Sequence, residues 1–222
     1  MKKLLIGVAI LFVQVSFGQV TKNLGDFDKV KVFDKLSITL IHSSENKIVI
    51  KGSRESEVEV VNKNGELKLR MPFPKLLSGD DISIQLYYKH IENIDVSEGS
   101  IVSSKDKIKQ TSIDLNSKEG GEINVILDVD NAKVRAVSGG TIKVSGEAKT
   151  QIASLGSGGI LKAKDLHTSQ TTISVSAGGN AEIHATTLVD AKVNAGGYIY
   201  IYGKPKQINQ KTVLGGRIEE KE

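Results

Sequence analysis

Apolar and polar residues alternate along most of the chain, and from residue 98 onward the alternation recurs together with pairs of glycine. The first glycines of the pairs stand at positions 120, 139, 158, 178, 196 and 215, so the steps between them are 19, 19, 20, 18 and 19 residues. A weaker member of the series, Glu98-Gly99-Ser100, precedes these pairs. A regular period of this length is typical of repeat proteins in which each unit stacks on the next.

The residues on both sides of each glycine pair have period two. Ile123 and Val125 follow one pair and Ile173 and Val175 precede another, with polar residues between them. This alternation indicates half-buried β-strands. Glycine suits the intervening turn because it adopts positive φ without a steric penalty. We therefore predict that each repeat is a strand, a Gly-Gly turn, a second strand and a second connection.

The fold class that this repeat predicts is all-β, a β-solenoid or flattened β-helix with coils of about 19 residues. Successive coils would lie about 4.8 Å apart and share one continuous core. A β-sandwich, the rival architecture, would not require a constant period. Two inward columns are expected from the register of the repeats. They contain Val134, Ala153, Ile173 and Ala191, and Ala136, Leu155, Val175 and Val193.

The part of the chain before the repeats also has the β pattern but lacks the glycine pairs. Asn64-Gly65 stands between two apolar runs and predicts a hairpin turn, while residues 71–81 have the composition of a loop. We expect residues 19–97 to form irregular coils continuous with the solenoid, or a cap at its N-terminal end. The charged C-terminal residues 217–222 would protect the last strand edge.

The first 18 residues have the parts of a secretory signal peptide. Lys2 and Lys3 precede an apolar run from Leu4 to Val15, and Gly18 offers a cleavage position. The run is shorter than the roughly 20 residues of a membrane-spanning helix, and no later segment is apolar enough to cross a membrane. We therefore expect a signal peptide over residues 1–18, and a protein that is periplasmic, associated with the outer membrane or extracellular. Residues 19–222 would form a single β-solenoid domain, with the Gly-Gly repeats over 98–222.

The composition limits the chemistry that this chain can carry. It has no cysteine, so neither a disulfide nor a lipid-modified N-terminal Cys is possible. Removal of Lys2 and Lys3 lowers the net charge from +4 to +2. No basic run is interleaved with aromatic residues, so a nucleic-acid partner is not expected.

Candidate catalytic and metal-binding residues are few. His42, His90, His167 and His184 show no metal-ligand spacing, and we interpret them as solvated surface residues. Asp128-Val129-Asp130 would present two carboxylates on one face, as calcium or a glycosidase-type site requires, but the neighbouring repeats continue no acidic column. Gly79-Asp80-Asp81 is a second acidic candidate. No catalytic residue, metal or cofactor is predicted.

Tyr198, Tyr200 and Tyr202 are the predicted ligand-binding residues. Register with Thr141, Lys143 and Ser145 directs the three tyrosines outward, with Ile199 and Ile201 toward the core. Such a strip would stack on sugar rings or dock a partner. Alternatively, the tyrosines cover a terminal coil and pack under the segment 204–211. Tyr87-Tyr88 is a smaller version, with one ring expected to be buried.

The sequence resembles the putative auto-transporter adhesin family with the head GIN domain, which is common in secreted proteins of Bacteroidetes-type bacteria. The resemblance depends on the opening Phe27-Asp28-Lys29-Val30-Lys31-Val32, the serial Gly-Gly turns and the closing segment from Gly196 to Pro205. It implies a β-helix similar in shape to pectin-lyase folds, without an established catalytic set, and a role in adhesion. Many members have Gly-Ser-Gly turns where this chain has Gly-Gly. No binding residue is carried over from the family.

Three functions are compatible with these observations. The first is a non-catalytic, adhesin-like envelope or surface protein that binds a glycan or a protein through the solenoid faces. The second is a polysaccharide-active enzyme, a lyase or a hydrolase, by analogy of fold alone. The third is a structural component of a periplasmic assembly. The missing catalytic constellation favours the first.

Overall fold

The computed structural model describes residues 19–222, so the predicted signal peptide lies outside the described residues. Sixteen strands form one continuous sheet, and the only helical element in the described part is a 3₁₀ turn at Glu55–Glu57. The strands are β1 (Gln19–Asn23), β2 (Lys29–Val32), β3 (Ser37–His42), β4 (Lys47–Lys51), β5 (Glu59–Lys63), β6 (Glu66–Arg70), β7 (Ser83–Tyr88), β8 (Asn93–Val96), β9 (Ile101–Ser117), β10 (Glu122–Val137), β11 (Thr141–Gly156), β12 (Ile160–Ser176), β13 (Asn180–Asn194), β14 (Tyr198–Tyr202), β15 (Gln207–Val213) and β16 (Arg217–Glu220).

The strands β9 to β13 are stacked in parallel and give the predicted β-solenoid. The first half of each long strand belongs to one wall, here called the front wall, and the second half to the back wall. The front wall continues into β14 and β16, and the back wall into β15. Both predicted inward columns are confirmed, because their members are register partners and all of them are buried.

The two glycines of each turn have different structural roles, as the turn Ser138-Gly139-Gly140 illustrates. Gly139 has a φ of 73°, and a Cβ at this position would meet no atom within 4 Å. A Cβ on Gly140 would instead lie closer than 3 Å to the carbonyl group of Ser117, in the preceding coil. The first glycine therefore provides a left-handed backbone conformation, and the second allows neighbouring coils to approach.

The predicted second connection within each repeat is not a separate turn. The chain passes from the front wall to the back wall inside one strand, at a corner where β-bulges shift the register. One bulge lies between Ala163 and His167 of β12, and another between Lys143 and Gly146 of β11. A bulge bends a strand sharply while most of its hydrogen-bonded ladder continues. Each coil thus contains one turn and one corner, and β10 and β11 pass through theirs in unshifted register.

Residues 19–97 form both a coil and a cap. The strands β2 and β3 stack in parallel on β8 and β9 as the first coil of the solenoid. The segment between β3 and β8 closes the N-terminal end of the solenoid. In this segment β4 pairs antiparallel with β7, and β5 pairs antiparallel with β6. The β5–β6 hairpin turns at Asn64-Gly65, as predicted.

The opposite end of the solenoid is closed by a change of side-chain polarity. The inward positions of Ala191 and Val193 are continued in β15 by Gln210 and Thr212. Glu220 in β16 likewise continues the position of the buried Ile201. Polar residues on a terminal coil discourage the stacking of further chains on the exposed edge.

Candidate functional site

The tyrosine strand β14 lies in the front wall between β13 and β16. Its burial alternates, with Ile199 and Ile201 buried and the three tyrosines outward, as the period-two pattern predicts. Tyr198 and Tyr200 continue the outward columns of Asn180 and Glu182. Strand geometry alone therefore places the aromatic rings on the surface of the solenoid.

Two of the tyrosine rings are arranged in parallel. The ring centroids of Tyr198 and Tyr200 are 6.4 Å apart, and their planes differ by 15°. The Lys221 ammonium lies 4.8 Å from the centroid of the Tyr200 ring, within the range of a cation–π contact. Tyr198 is 46% exposed, whereas Tyr200 and Tyr202 are half-buried. Tyr198 is thus the most accessible of the three tyrosines.

The neighbours of the tyrosine strand differ from the predicted ones. The segment that flanks β14 is β16 and not residues 204–211, because β15 pairs with the back-wall half of β13. Tyr202 is the register partner of His184. Because of the bulges at the corner, His184 is in turn aligned with His167, and His167 with Glu147. The predicted alignment of Tyr202 with Ser145 is therefore wrong.

Tyr88, the buried member of the predicted Tyr87-Tyr88 pair, is 2% exposed. Its hydroxyl has no hydrogen-bond partner among the described residues. Burial, and then the charge of Asp106, raises the pKa of Tyr88 to about 12. This tyrosine is therefore part of the core and not of a binding surface.

A groove of about 690 Å³ runs along the corner of the solenoid and crosses five coils. Its floor contains the buried side chains of Val129, Ala148 and Thr168. The groove is lined by Gln110, Thr111, Asp128, Val129, Asp130, Glu147, Ala148, Lys149, His167, Thr168, Ser169 and Thr186. An extended ligand could follow it parallel to the solenoid axis, since each coil contributes one short segment of the lining.

The acidic candidates of the sequence lie in two different places. Asp128 and Asp130 line the corner groove, where the Asp128 carboxylate is 3.4 Å from Lys109 Nζ and the Asp130 carboxylate is 2.6 Å from Lys149 Nζ. Glu147 is the register partner of Asp128 in the next coil, so the expectation that no acidic residue continues this position is wrong for one coil. Asp81 lies in the N-terminal cap, where its carboxylate binds the Arg54 guanidinium and accepts a hydrogen bond from the Ser53 hydroxyl. Among the described residues, no group of three or more His, Asp or Glu side chains is arranged to hold a metal ion.

His167 and His184 form a pair that the sequence did not predict. Their Nδ1 and Nε2 atoms are 3.3 Å apart, and the rings meet edge to face. His184 is half-buried and its Nδ1 has no partner among the described residues, so it is not the solvated residue that we expected. His167 stands nine residues after Gly158 and His184 six after Gly178, and only the corner bulge brings them into register.

Stability should decrease at acidic pH because of this pair. Burial, and then the charge of His167, holds the pKa of His184 below its usual value of 6.5. The unfolded chain therefore takes up a proton near pH 6.5 that folded His184 takes up only at lower pH. The contribution of His184 to the free energy of unfolding is accordingly greatest above pH 6.5 and falls as the pH decreases below that value.

This prediction can be measured by urea denaturation between pH 7.5 and 5.5. We expect His184→Gln to reduce the pH dependence, and His167→Gln to reduce it in part by removing one positive charge. His90→Gln, which changes an exposed ring bound to Glu92, serves as the control. Equal pH dependence in the wild type and His184→Gln would contradict the assignment.

Stacked parallel coils, with a tyrosine strip on one wall and a groove along the corner, define a β-solenoid whose long surfaces are accessible to partners. The sequence matches the family described as putative auto-transporter adhesin, head GIN domain, over residues 26–205, and the chain belongs to this family. None of the curated proteins compared with the chain matches it. No helix within residues 19–222 has the length and apolar character to span a membrane.

Solved structures share the fold over nearly the whole chain. A putative adhesin from Bacteroides fragilis NCTC 9343 is 20% identical with a TM-score of 0.83, and the match covers 93% of this chain and 98% of that one. A putative adhesin from Parabacteroides distasonis ATCC 8503 is 19% identical, with a TM-score of 0.74 and the same coverage. A putative lipid binding protein from the same strain is 16% identical with a TM-score of 0.70, covering 94% and 98%.

Proposed function

We propose that this protein is a non-catalytic, adhesin-like protein of the cell envelope or cell surface that binds a partner through its solenoid walls. Export by the predicted signal peptide and membership of an adhesin family support this function. A glycan is the partner to test first. Sugar rings present flat apolar faces that stack on aromatic side chains.

The observation that carries the proposal is the parallel arrangement of Tyr198 and Tyr200 on an accessible wall. The two rings are stacked at successive outward positions of one strand, with the buried Ile199 between them in the sequence. Lys221 and Glu219 border the rings and offer hydrogen bonds to hydroxyl groups. An aromatic platform with a polar rim is an arrangement that binding sites commonly use.

The test is binding of the purified protein to a broad glycan array, beside the triple variant Tyr198→Ala, Tyr200→Ala, Tyr202→Ala. We expect selective binding that the triple variant weakens by at least about tenfold, because the stacking of each ring contributes roughly 1 kcal/mol. The corresponding Tyr→Phe triple variant keeps the rings and should retain most of the affinity.

A matched control is Asp190→Ala with Lys192→Ala, two exposed residues of the back-wall half of β13. This variant should bind like the wild type. Binding that survives the tyrosine substitutions would remove the strip as the site. A folded protein that binds no glycan would direct the search to a protein partner, by cross-linking in the native envelope. A tightly co-purifying protein would then favour a structural role in an envelope assembly.

Polysaccharide-active chemistry is the second candidate, and the corner groove is the observation that favours it. Asp128 and Glu147 occupy neighbouring coils in the same column of the groove lining, and two carboxylates that flank a bond are what glycoside hydrolysis requires. Release of reducing or unsaturated sugar ends, lost in Asp128→Asn, would support this function. Absence of cleavage across a polysaccharide panel would eliminate it.

A further inference from the structure

The loop between β6 and β7 displays large apolar side chains to solvent. Phe73 is 84% exposed, and Leu76 and Leu77 are each 50% exposed. We call residues 72–77 the apolar loop. Single exposed apolar residues are common on protein surfaces, but three large ones within five positions form a patch of the kind that marks an interaction site.

The apolar loop is held in place by a buried carboxylate. Asp34 is 1% exposed, and its two carboxylate oxygens accept hydrogen bonds from the N–H groups of Met71 and Leu77 at 3.0 and 2.9 Å. The guanidinium of Arg54 binds the carbonyl oxygen of Ser78 just beyond the loop. Both ends of the loop are therefore fixed to the cap, and the display of the apolar side chains is part of the folded structure.

The backbone of the apolar loop has few free hydrogen-bond donors. Pro72 and Pro74 have no N–H group. The N–H of Lys75 donates to the carbonyl of Pro72 at 2.7 Å, and the N–H of Leu77 donates to Asp34. A segment that enters the apolar part of a bilayer must satisfy its backbone groups internally, since lipid offers no partners. Two of the four backbone donors in this loop, those of Lys75 and Leu77, are satisfied in that way.

The charges beside the apolar loop are paired within the protein. Lys75 Nζ lies 2.7 Å from the Glu57 carboxylate, and the Arg54 guanidinium lies 3.0 Å from the Asp81 carboxylate. These pairs leave no excess of positive charge that would select anionic lipid headgroups. Contact with a membrane would therefore depend on the apolar side chains and vary little with salt.

The chain enters the folded structure at the same end of the solenoid. Gln19 pairs with Lys51 in β4, and Arg54 a few residues later contacts Ser78 and Asp81. Gln19, the first described residue, thus lies on the side of the apolar loop, and the predicted signal peptide precedes it in the sequence. Until the predicted signal peptide is cleaved, it would hold this end of the molecule close to the membrane.

We propose that the apolar loop inserts Phe73, Leu76 and Leu77 into the interface of a lipid bilayer and so orients the solenoid with its N-terminal cap toward the membrane. The tyrosine strip then lies on the coils farthest along the stack from the membrane. Small apolar insertions of this kind give reversible membrane binding. The inference is independent of the glycan proposal, because it uses a different part of the surface.

The absence of tryptophan allows a direct test. Phe73→Trp places a single indole at the tip of the loop, and its fluorescence reports transfer into an apolar medium. We expect a blue shift when vesicles of phosphatidylcholine are added, with and without an anionic lipid and at low and high salt. The control is Ile152→Trp, at a 57% exposed position of the back wall, which should show no shift. The predicted signal peptide, residues 1–18, must be either removed from both variants or retained in both.

A second variant tests whether the fluorescence shift depends on the apolar side chains of the loop. Leu76→Ser with Leu77→Ser, added to Phe73→Trp, should weaken vesicle binding by about tenfold or more because half of each leucine is available for burial. No blue shift in Phe73→Trp, or an equal shift in Ile152→Trp, would overturn the proposal and leave the apolar loop to a protein partner. Glycan binding by the leucine variant should be unchanged, so the two proposals succeed or fail separately.

Discussion

Substitution of Gly140 by alanine should destabilise the protein by about 3 kcal/mol, the upper part of the range for inserting an atom into a packed site. A Cβ at this position would lie against the carbonyl group of Ser117, and a backbone carbonyl within a parallel ladder cannot move aside without breaking hydrogen bonds of two coils. We expect a matching decrease in the midpoint of urea denaturation. Far-UV circular dichroism would show whether the remaining fold is still β.

Gly139→Ala is the matched control in the same turn. A Cβ there would meet no atom within 4 Å, but the residue has a φ of 73°, so the cost is only the conformational penalty of about 1 kcal/mol. Ser138→Gly should be neutral or slightly stabilising, since Ser138 also has positive φ. Equal losses for Gly139→Ala and Gly140→Ala would mean that the two glycines do not have the separate roles assigned to them.

Substitution of Asp34 by alanine should cost about 3 kcal/mol and release the apolar loop. Asp34 is buried, has a φ of 64° and accepts two hydrogen bonds from loop N–H groups. Hydrogen bonds to a charged acceptor contribute about 1.5 kcal/mol or more each, and their loss leaves the buried N–H of Met71 and the partly buried N–H of Leu77 without Asp34 as a partner. Chemical denaturation should detect the loss of stability, and limited proteolysis should show new cleavage within residues 71–78.

Asp34→Asn separates the charge from the shape of this residue. The amide keeps one acceptor oxygen but directs a donor at one of the two N–H groups, so we expect a destabilisation close to that of alanine. Asp114→Ala is the control, because Asp114 is exposed and 3.7 Å from Lys133 Nζ, and such surface pairs contribute less than about 1 kcal/mol. An unchanged proteolysis pattern in Asp34→Ala would show that other contacts hold the loop.

The repeat architecture was readable from the sequence because its signals are local. The alternation around each glycine pair determines which side chains face inward, and the period of about 19 residues determines which of them stack. The inward columns beginning at Val134 and Ala136, and the outward tyrosines of β14, follow from these two rules. The hairpin at Asn64-Gly65 was also predictable, since a two-residue turn is specified by its own sequence.

One prediction failed because it required counting across a corner. The alignment of Tyr202 with Ser145 assumed that each coil has the same number of residues between turn and corner. The bulges change that number from coil to coil. Bulge positions depend on how a strand bends over its neighbour, and no residue pattern in this chain predicts them.

The sequence by itself determined the solenoid, the inward and outward faces of its strands and the position of the tyrosine strip, because period and alternation act between residues close along the chain. Only the tertiary structure decided that His167 meets His184, and that Asp34 reaches Met71 and Leu77, which are 37 and 43 residues away. It also decided that Phe73 is exposed and not buried. These features depend on which distant segments the fold brings together, and a contact between distant segments leaves no local signature.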